Sequence, residues 1–236
     1  YVVLLGGEPG IFPELTHKLT AAIHQAGLGV RVETNASWAI DEDSAVSFLE
    51  PLCAAGAQIM LSVDAFHEPF VSLACVEQAI RTLDTLGGKY VVEVPYVDFP
   101  AARHPFDIRT NELLSKLECR LARKTCAPLY KGPIYFKGRA AHSLAPLVMN
   151  GKGVPHEVCN IVPWWSNGSQ STLELLGLDP DGYLTKECGI AIGNVKQQSV
   201  EQIISLFDAD KHPILSTLIR KGPLGLALEA SEMGYK

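Results

Sequence analysis

The chain has 236 residues, 47% of them hydrophobic, and a mean hydropathy of +0.13, which is enough apolar material for one large core with a small second unit. The net charge of −6 and the isoelectric point near 5.6 argue against broad nucleic-acid binding. No apolar run reaches the roughly 18 residues that cross a bilayer, and no signal peptide is visible, so we expect a cytoplasmic protein with neither membrane nor nucleic acid among its partners.

The first predicted element is an apolar strand, residues 1–5, that runs directly into the tetrapeptide GGEP. Gly6 and Gly7 have no Cβ, so a ligand can approach their backbone closely. The carboxylate of Glu8 beside them can pair with a cationic amine. The same tetrapeptide is also typical of a plain turn into a helix, with Glu8 near the positive helix end.

Two more apolar strands, residues 28–33 and 57–61, also end in small polar residues. Segments with helical spacing lie between the strands, so strand ends recur at intervals of about thirty residues, the length of one strand–helix unit. This pattern predicts an α/β fold with a parallel sheet, in which the carboxyl ends of the strands share one edge. The polar residues that we expect to converge at this edge are Glu8, Asn35, Ser62 and Asp64.

The array continues with a predicted fourth strand at residues 89–97 and a shorter fifth strand at residues 133–137. Proline and glycine then mark a linker at residues 150–155, beyond which the alternation of strand and helix stops. We therefore expect two domains, residues 1–150 and residues 151–236.

The second domain contains a DPDG turn between two segments, residues 172–178 and 183–187, which predicts a β-hairpin. Helical spacing of apolar residues follows at residues 200–207 and 214–220. We therefore expect the second domain to be a small α+β unit.

The motifs LLGGEP, VETNAS and LSVDAFHEPF, in this order from the N-terminus, resemble those of the radical SAM enzymes. These enzymes cleave S-adenosylmethionine (SAM) with a 4Fe–4S cluster and produce a 5′-deoxyadenosyl radical that takes a hydrogen atom from the substrate. The resemblance implies that residues 1–150 form strands two to six of a partial parallel (β/α) barrel. It also implies that Glu8 accepts the SAM ammonium, while polar strand ends orient the ribose or the methionine carboxylate. The cofactor-binding residues that it implies are Gly6, Gly7, Glu8, Asn35, Ser62, Asp64 and Arg139.

One defining feature of that family is missing from the sequence. The family holds its cluster with a CxxxCxxC motif after the first strand, through thiolates that leave one iron open for SAM. None of the six cysteines forms such a motif, and the chain begins with Tyr1 at what corresponds to the second strand. We therefore expect a fragment that lacks the first strand and the cluster loop and is inactive alone. A natural relative that lost the cluster is the alternative.

The segment DPDGYLTKECGIAIGNVKQQSVEQII is similar to the SPASM or twitch appendage behind many radical SAM barrels, which carries auxiliary iron–sulfur clusters. Cys188 occupies the position of a ligand cysteine, and Cys159 is its nearest partner upstream. A 4Fe–4S cluster needs four ligands, so a site with these two cysteines requires others, such as His156. The alternative is that both cysteines are small buried hydrophobic residues.

His67, in the segment DAFHEPF, is the candidate catalytic residue because it falls at the same predicted edge. The resemblance leaves the substrate unknown, with a peptide as the leading expectation, and implies an electron donor such as flavodoxin or ferredoxin. Two other functions stay open. A metal-dependent hydrolase on a similar barrel could use Glu8, Asp64 and His67 as ligands. A binding module could instead keep the SAM pocket without the chemistry.

Overall fold

A computed structural model describes residues 1–121, 129–134, 176–186 and 189–235. The chain divides into two compact units, Tyr1–Val148 and Met149–Lys236. Within the described residues, no helix is both long enough and apolar enough to cross a membrane.

The first unit is an α/β structure built on a parallel sheet. In the part of the chain that is described, this sheet has five strands, and their order across the sheet follows their order in the chain. Helices alternate with the strands, and a short 3₁₀ helix, Pro9–Ile11, precedes the first of them. The α/β class and the parallel sheet expected from the sequence are thereby confirmed. The elements are β1 (Val2–Leu4), α1 (Pro13–Gln25), β2 (Val30–Thr34), α2 (Glu42–Ala54), β3 (Gln58–Ser62), α3 (Leu73–Leu86), β4 (Lys89–Tyr96), α4 (Pro105–Arg120) and β5 (Leu129–Pro133).

The described helices of this unit, α1 to α4, cover one face of the sheet. Alternate strand residues are apolar and buried, and they form a continuous core with the inner sides of α2, α3 and α4, against which Ile23 of α1 also packs. Burying each such aliphatic side chain contributes about 1.5–3 kcal/mol, so this core is the main stabilising element of the unit. Fully buried members of the core include Val32, Ile59 and Val92 from the strands and Leu49, Ile80 and Leu117 from the helices.

The opposite face of the sheet carries charged side chains. Arg31 and Glu33 of β2 and Glu93 of β4 alternate with the buried core residues and are themselves partly buried. Because strand side chains point alternately to the two faces, these three lie on the side away from the helices. Arg31 donates from Nε to Gln58 Oε1 of the neighbouring β3 at 3.0 Å, which links two strands across this face.

The fifth strand differs from the prediction. β5 begins at Leu129, earlier than the predicted residues 133–137, and pairs with β4 so that Pro133 lies opposite Tyr96. The predicted start at residue 133 was wrong, because the strand already runs through Tyr130 and Lys131, which are exposed and give no apolar alternation. Residues 135–137 lie outside the described residues.

The second unit contains a small antiparallel sheet in its described residues. Its elements are β6 (Leu176–Leu178), β7 (Tyr183–Lys186), β8 (Ala191–Asn194), α5 (Val200–Leu206) and α6 (Pro213–Glu232). β6 and β7 form the predicted hairpin, in which Gly182 has a φ of 87° and Asp179 Oδ1 accepts a hydrogen bond from the Tyr183 amide at 2.8 Å. β8 was not predicted. α6 extends past the predicted helix and is broken at Gly222, where φ is 69°, just before Pro223.

Candidate functional site

The carboxyl ends of β1, β2 and β3 lie at one edge of the sheet, because these strands are parallel neighbours. The segments that leave this edge carry the polar residues singled out in the sequence. Glu8 follows β1, Asn35 directly follows β2, Ser62 ends β3, and Asp64 lies two residues further on. The four predicted residues therefore occupy the same edge of the sheet.

The carboxylate of Glu8 ties the end of β1 to the end of β2. Its Oε1 accepts hydrogen bonds from Thr34 Oγ1 at 2.5 Å and from the Gly10 amide at 3.0 Å, and its Oε2 accepts one from the Asn35 amide at 2.8 Å. Glu8 is 9% exposed. A carboxylate offers about four acceptor positions, so three donors leave one position open, on Oε2. A ligand ammonium can bind at that position.

The two glycines before Glu8 adopt backbone conformations that other residues rarely take. The φ angle is 94° at Gly6 and 60° at Gly7. Nothing lies within 4 Å of the place where a Cβ would stand on either residue. Glycine is therefore needed here because of the backbone conformation, and not because a side chain would collide with its surroundings. The open space also means that a ligand can reach the backbone beside Glu8.

Thr34, the last residue of β2, was not singled out in the sequence but is central to this site. Its buried hydroxyl donates to Glu8 and accepts hydrogen bonds from the Ala36 amide at 3.0 Å and from Trp38 Nε1 at 2.8 Å. Sequence reasoning missed it because threonine is a common strand residue, and only the pairing of β1 with β2 places it beside Glu8.

Asp64 and His67 form a hydrogen-bonded pair after β3. His67 Nδ1 lies 2.6 Å from Asp64 Oδ2, while Asp64 Oδ1 accepts from the amides of Phe66 at 2.8 Å and His67 at 2.9 Å. The Asp64 side chain is fully buried, whereas 44% of the His67 side chain is exposed. The hydrogen bond with Asp64 raises the pKa of His67 above its usual value against the opposing effect of burial, and the negative charges of Asp64, Glu8 and Glu93 raise it further.

Helix α4 anchors the loop that carries this pair. Thr110 Oγ1 accepts a hydrogen bond from the Ala65 amide at 3.0 Å, and both groups are buried. Arg109 Nε donates to Glu68 Oε2 at 2.8 Å, and this bond lowers the pKa of Glu68. The loop is thus held at two points, which fixes the position of the imidazole relative to the sheet.

A cavity of about 220 Å³ opens at this edge of the sheet. Four predicted site residues line it: Asn35, Ser62, Asp64 and His67. Val76 of α3 and Leu113 of α4 form part of its apolar wall. An apolar wall with a few polar groups is typical of small-molecule sites, but a site for a drug-sized ligand usually measures roughly 300–1,000 Å³. The cavity therefore suits one part of a larger ligand.

Glu33 and Glu93, on the polar face of the sheet, are acids that the sequence reasoning did not single out. Burial raises the pKa of both carboxyl groups, and the charges of Glu33 and Asp64 raise that of Glu93 further. A signal was present in the sequence, since Glu93 interrupts the apolar segment VVEVPY, and Glu33, like Arg31, alternates with valine in VRVET. Such a residue indicates that the second face of the strand is polar.

The described cysteines do not fit an iron–sulfur cluster. Cys53, Cys75 and Cys119 are free thiols on three different helices, α2, α3 and α4. Burial raises the pKa of the Cys53 and Cys75 thiols, which opposes the thiolate form that a cluster needs. In the described part of the chain, no three His, Cys, Asp or Glu side chains are grouped so that they could hold a metal ion. The predicted site residues outside the described ranges are Arg139, Cys159 and Cys188.

Comparison with known proteins assigns no family. No family model matches the chain, and a search of curated proteins found no match.

Proposed function

We propose that the chain is the SAM-binding core of a radical SAM enzyme, and the carboxylate of Glu8 is the observation that carries this proposal. Three hydrogen bonds fix this carboxylate and leave one acceptor position open. The backbone at Gly6 and Gly7 beside it is unobstructed. A fixed acceptor next to an accessible backbone is what the α-amino group of SAM requires.

The neighbouring residues suit the rest of the SAM molecule. Asn35 Oδ1 accepts a hydrogen bond from the Ser37 amide at 2.9 Å, which leaves the side-chain NH₂ group of Asn35 for a ligand. Together with Ser62, it supplies polar groups for the ribose or the methionine carboxylate. The carboxylates of Asp64 and Glu8 place negative charge at this edge of the sheet. This charge suits SAM, which is cationic at both its ammonium and its sulfonium. The role of Arg139 as a partner of the SAM carboxylate stays a prediction.

The winding of the sheet supports a partial (β/α) barrel. In a barrel, each strand lies beside the next one in the chain and all helices cover the outer face. A doubly wound sheet instead reverses its strand order and carries helices on both faces. The order β1 to β5 and the single helical face agree with the barrel. Arg31, Glu33 and Glu93 would then face the barrel interior.

The surface beside β1 supports a further strand–helix unit at that end of the sheet. Among the described residues, β1 pairs with β2 alone, so its other edge is unpaired. An unpaired edge strand is an association hazard that proteins usually cover. Ile11, Phe12, Leu15 and Leu19, on or next to α1, each expose at least 43% of their surface. A strand–helix unit beside β1 would cover both the unpaired strand edge and the exposed apolar side chains. In the radical SAM enzymes that the chain resembles, the CxxxCxxC loop belongs to a strand–helix unit at this position.

When SAM is bound to a reduced 4Fe–4S cluster, it supplies the radical chemistry of the enzyme. The described residues do not provide cluster ligands, so their proposed contribution is to bind SAM and to orient it. We propose a peptide as the substrate, on the resemblance of the second unit to SPASM or twitch appendages. We propose flavodoxin or ferredoxin as the electron donor, on the resemblance of the chain to the radical SAM enzymes. The hairpin of β6 and β7, with its DPDG turn, agrees with such an appendage.

A metal-dependent hydrolase is less well supported by the same geometry. Among the described residues, no three His, Cys, Asp or Glu side chains are grouped so that they could hold a metal ion. Glu8, Asp64 and His67 therefore do not form the ligand set that this reading requires. The SAM-binding module without chemistry differs from the enzyme only in lacking the cluster.

The proposal is tested by anaerobic reconstitution with iron and sulfide. The protein extended by its upstream segment should form 5′-deoxyadenosine from SAM when reductant is added, and residues 1–236 alone should form none. Reductant-dependent product from residues 1–236 alone would contradict the proposal that the ligands of the principal cluster lie outside these residues. SAM binding without product from the extended protein would favour the binding module.

A further inference from the structure

The hydroxyl of Thr34 has only one direction in which to donate. A hydroxyl has one proton and two acceptor lone pairs. The lone pairs of Thr34 Oγ1 take the hydrogen bonds from the Ala36 amide and from Trp38 Nε1. The proton must therefore go to Glu8 Oε1, 2.5 Å away.

The indole of Trp38 is itself fixed. Its ring centroid lies 4.3 Å from that of Phe48. On another side it lies against the backbone of Gly10, so closely that a Cβ on Gly10 would stand 2.0 Å from Trp38 Cδ1. The amide of Gly10 donates to the same oxygen of Glu8 as Thr34 does. These contacts connect the indole to the carboxylate along two routes, through Thr34 and through Gly10.

We infer that Thr34 and Trp38 are positioning residues that hold Glu8 so that its open acceptor position is presented to the ammonium of the bound ligand. The inference rests on the proposed function, because the ligand that it assumes is SAM. Neither residue needs to touch SAM. Their effect is that Oε1 is fully occupied by protein donors, which leaves Oε2 as the oxygen that meets the ligand.

The test compares two ligands in the reconstituted protein that includes its upstream segment. SAM carries the ammonium, whereas 5′-methylthioadenosine lacks the whole amino-acid group. Thr34→Val should weaken SAM binding about tenfold and leave 5′-methylthioadenosine binding unchanged. Thr34→Ser keeps the hydroxyl and should retain SAM affinity. Trp38→Phe removes the indole N–H together with part of the ring and should give a smaller loss of SAM affinity in the same direction. It is the second variant for the test if Thr34→Val does not fold.

A double-mutant cycle adds a readout that a purely structural role would not move. In a Glu8→Gln background, Thr34→Val should cost little further SAM affinity, because the carboxylate that it positions is already gone. Equal losses for both ligands, or unchanged SAM affinity in Thr34→Val and Trp38→Phe, would overturn the inference while leaving the proposed function intact. No SAM binding by the unmodified protein would overturn the proposed function and, with it, this inference.

Discussion

Thr34 Oγ1 and Glu8 Oε1 lie 2.5 Å apart, although the two residues are 26 positions apart in the chain. This hydrogen bond joins the ends of two neighbouring strands, β1 and β2. Glu8 therefore has a structural role in addition to its proposed role in ligand binding. Experiments on Glu8 must separate the two roles by measuring stability beside affinity.

Replacing Gly7 with alanine should lower the free energy of unfolding by about 1–3 kcal/mol, because φ is 60° there and a Cβ makes this conformation unfavourable. Gly7→Asn should cost less, since asparagine tolerates left-handed backbone. Urea unfolding of both variants measures the difference. Equal losses would show that the cost comes from something other than the backbone conformation.

Asp64→Asn should lower the pKa of His67, because the hydrogen bond that His67 makes to the Asp64 carboxylate is the main cause of its raised value. The stability that this pair contributes is fully present below pH 6.5, which is the ordinary pKa of histidine. It is lost as the pH rises through the raised pKa that His67 has in the folded protein. The difference in unfolding free energy between the wild type and Asp64→Asn should shrink over that same interval.

The direct measurement is an NMR titration of the His67 imidazole in the two proteins. Asp43→Asn, a change of an exposed aspartate in the first turn of α2, is the matched control and should leave the His67 curve in place. If the curve is also unmoved in Asp64→Asn, the Asp64 side chain does not control the ionisation of His67.

Cys188→Ala should reduce the iron bound after reconstitution if the second unit carries the proposed auxiliary cluster, since each missing thiolate weakens the site. Cys119→Ala, which removes an exposed thiol from α4, is the control and should leave the iron content unchanged. Iron content is measured together with the thermal midpoint. A fall in the midpoint without loss of iron would identify Cys188 as a packing residue instead.

The first unit could be predicted from the sequence because each of its early strands is a short apolar run followed by a helical segment. This regular spacing was enough to place Glu8, Asn35 and Asp64 at one edge. β5 could not be placed in this way, because its register is fixed by pairing with β4 rather than by its own apolar residues.

The internal partners of the site residues could not be predicted at all. Thr34 resembles any threonine at a strand end, and its contact with Glu8 depends on tertiary pairing. Thr110 is likewise distant in the chain from Ala65, although its hydroxyl oxygen accepts a hydrogen bond from the Ala65 amide. Sequence patterns identify which residues reach an edge, but only coordinates show which of their atoms remain free for a ligand.

The central claim is tested most directly by titrating SAM against the reconstituted wild type and Glu8→Gln, both in the protein that includes its upstream segment. A charge-assisted hydrogen bond contributes about 1.5–3 kcal/mol, so the substitution should weaken SAM binding roughly ten- to a hundredfold while the absorbance of the cluster is unchanged. Glu50→Gln, on the exposed side of α2, is the matched control and should bind SAM as the wild type does. Unchanged SAM affinity in Glu8→Gln, in a variant that is folded and carries its cluster, would contradict the account.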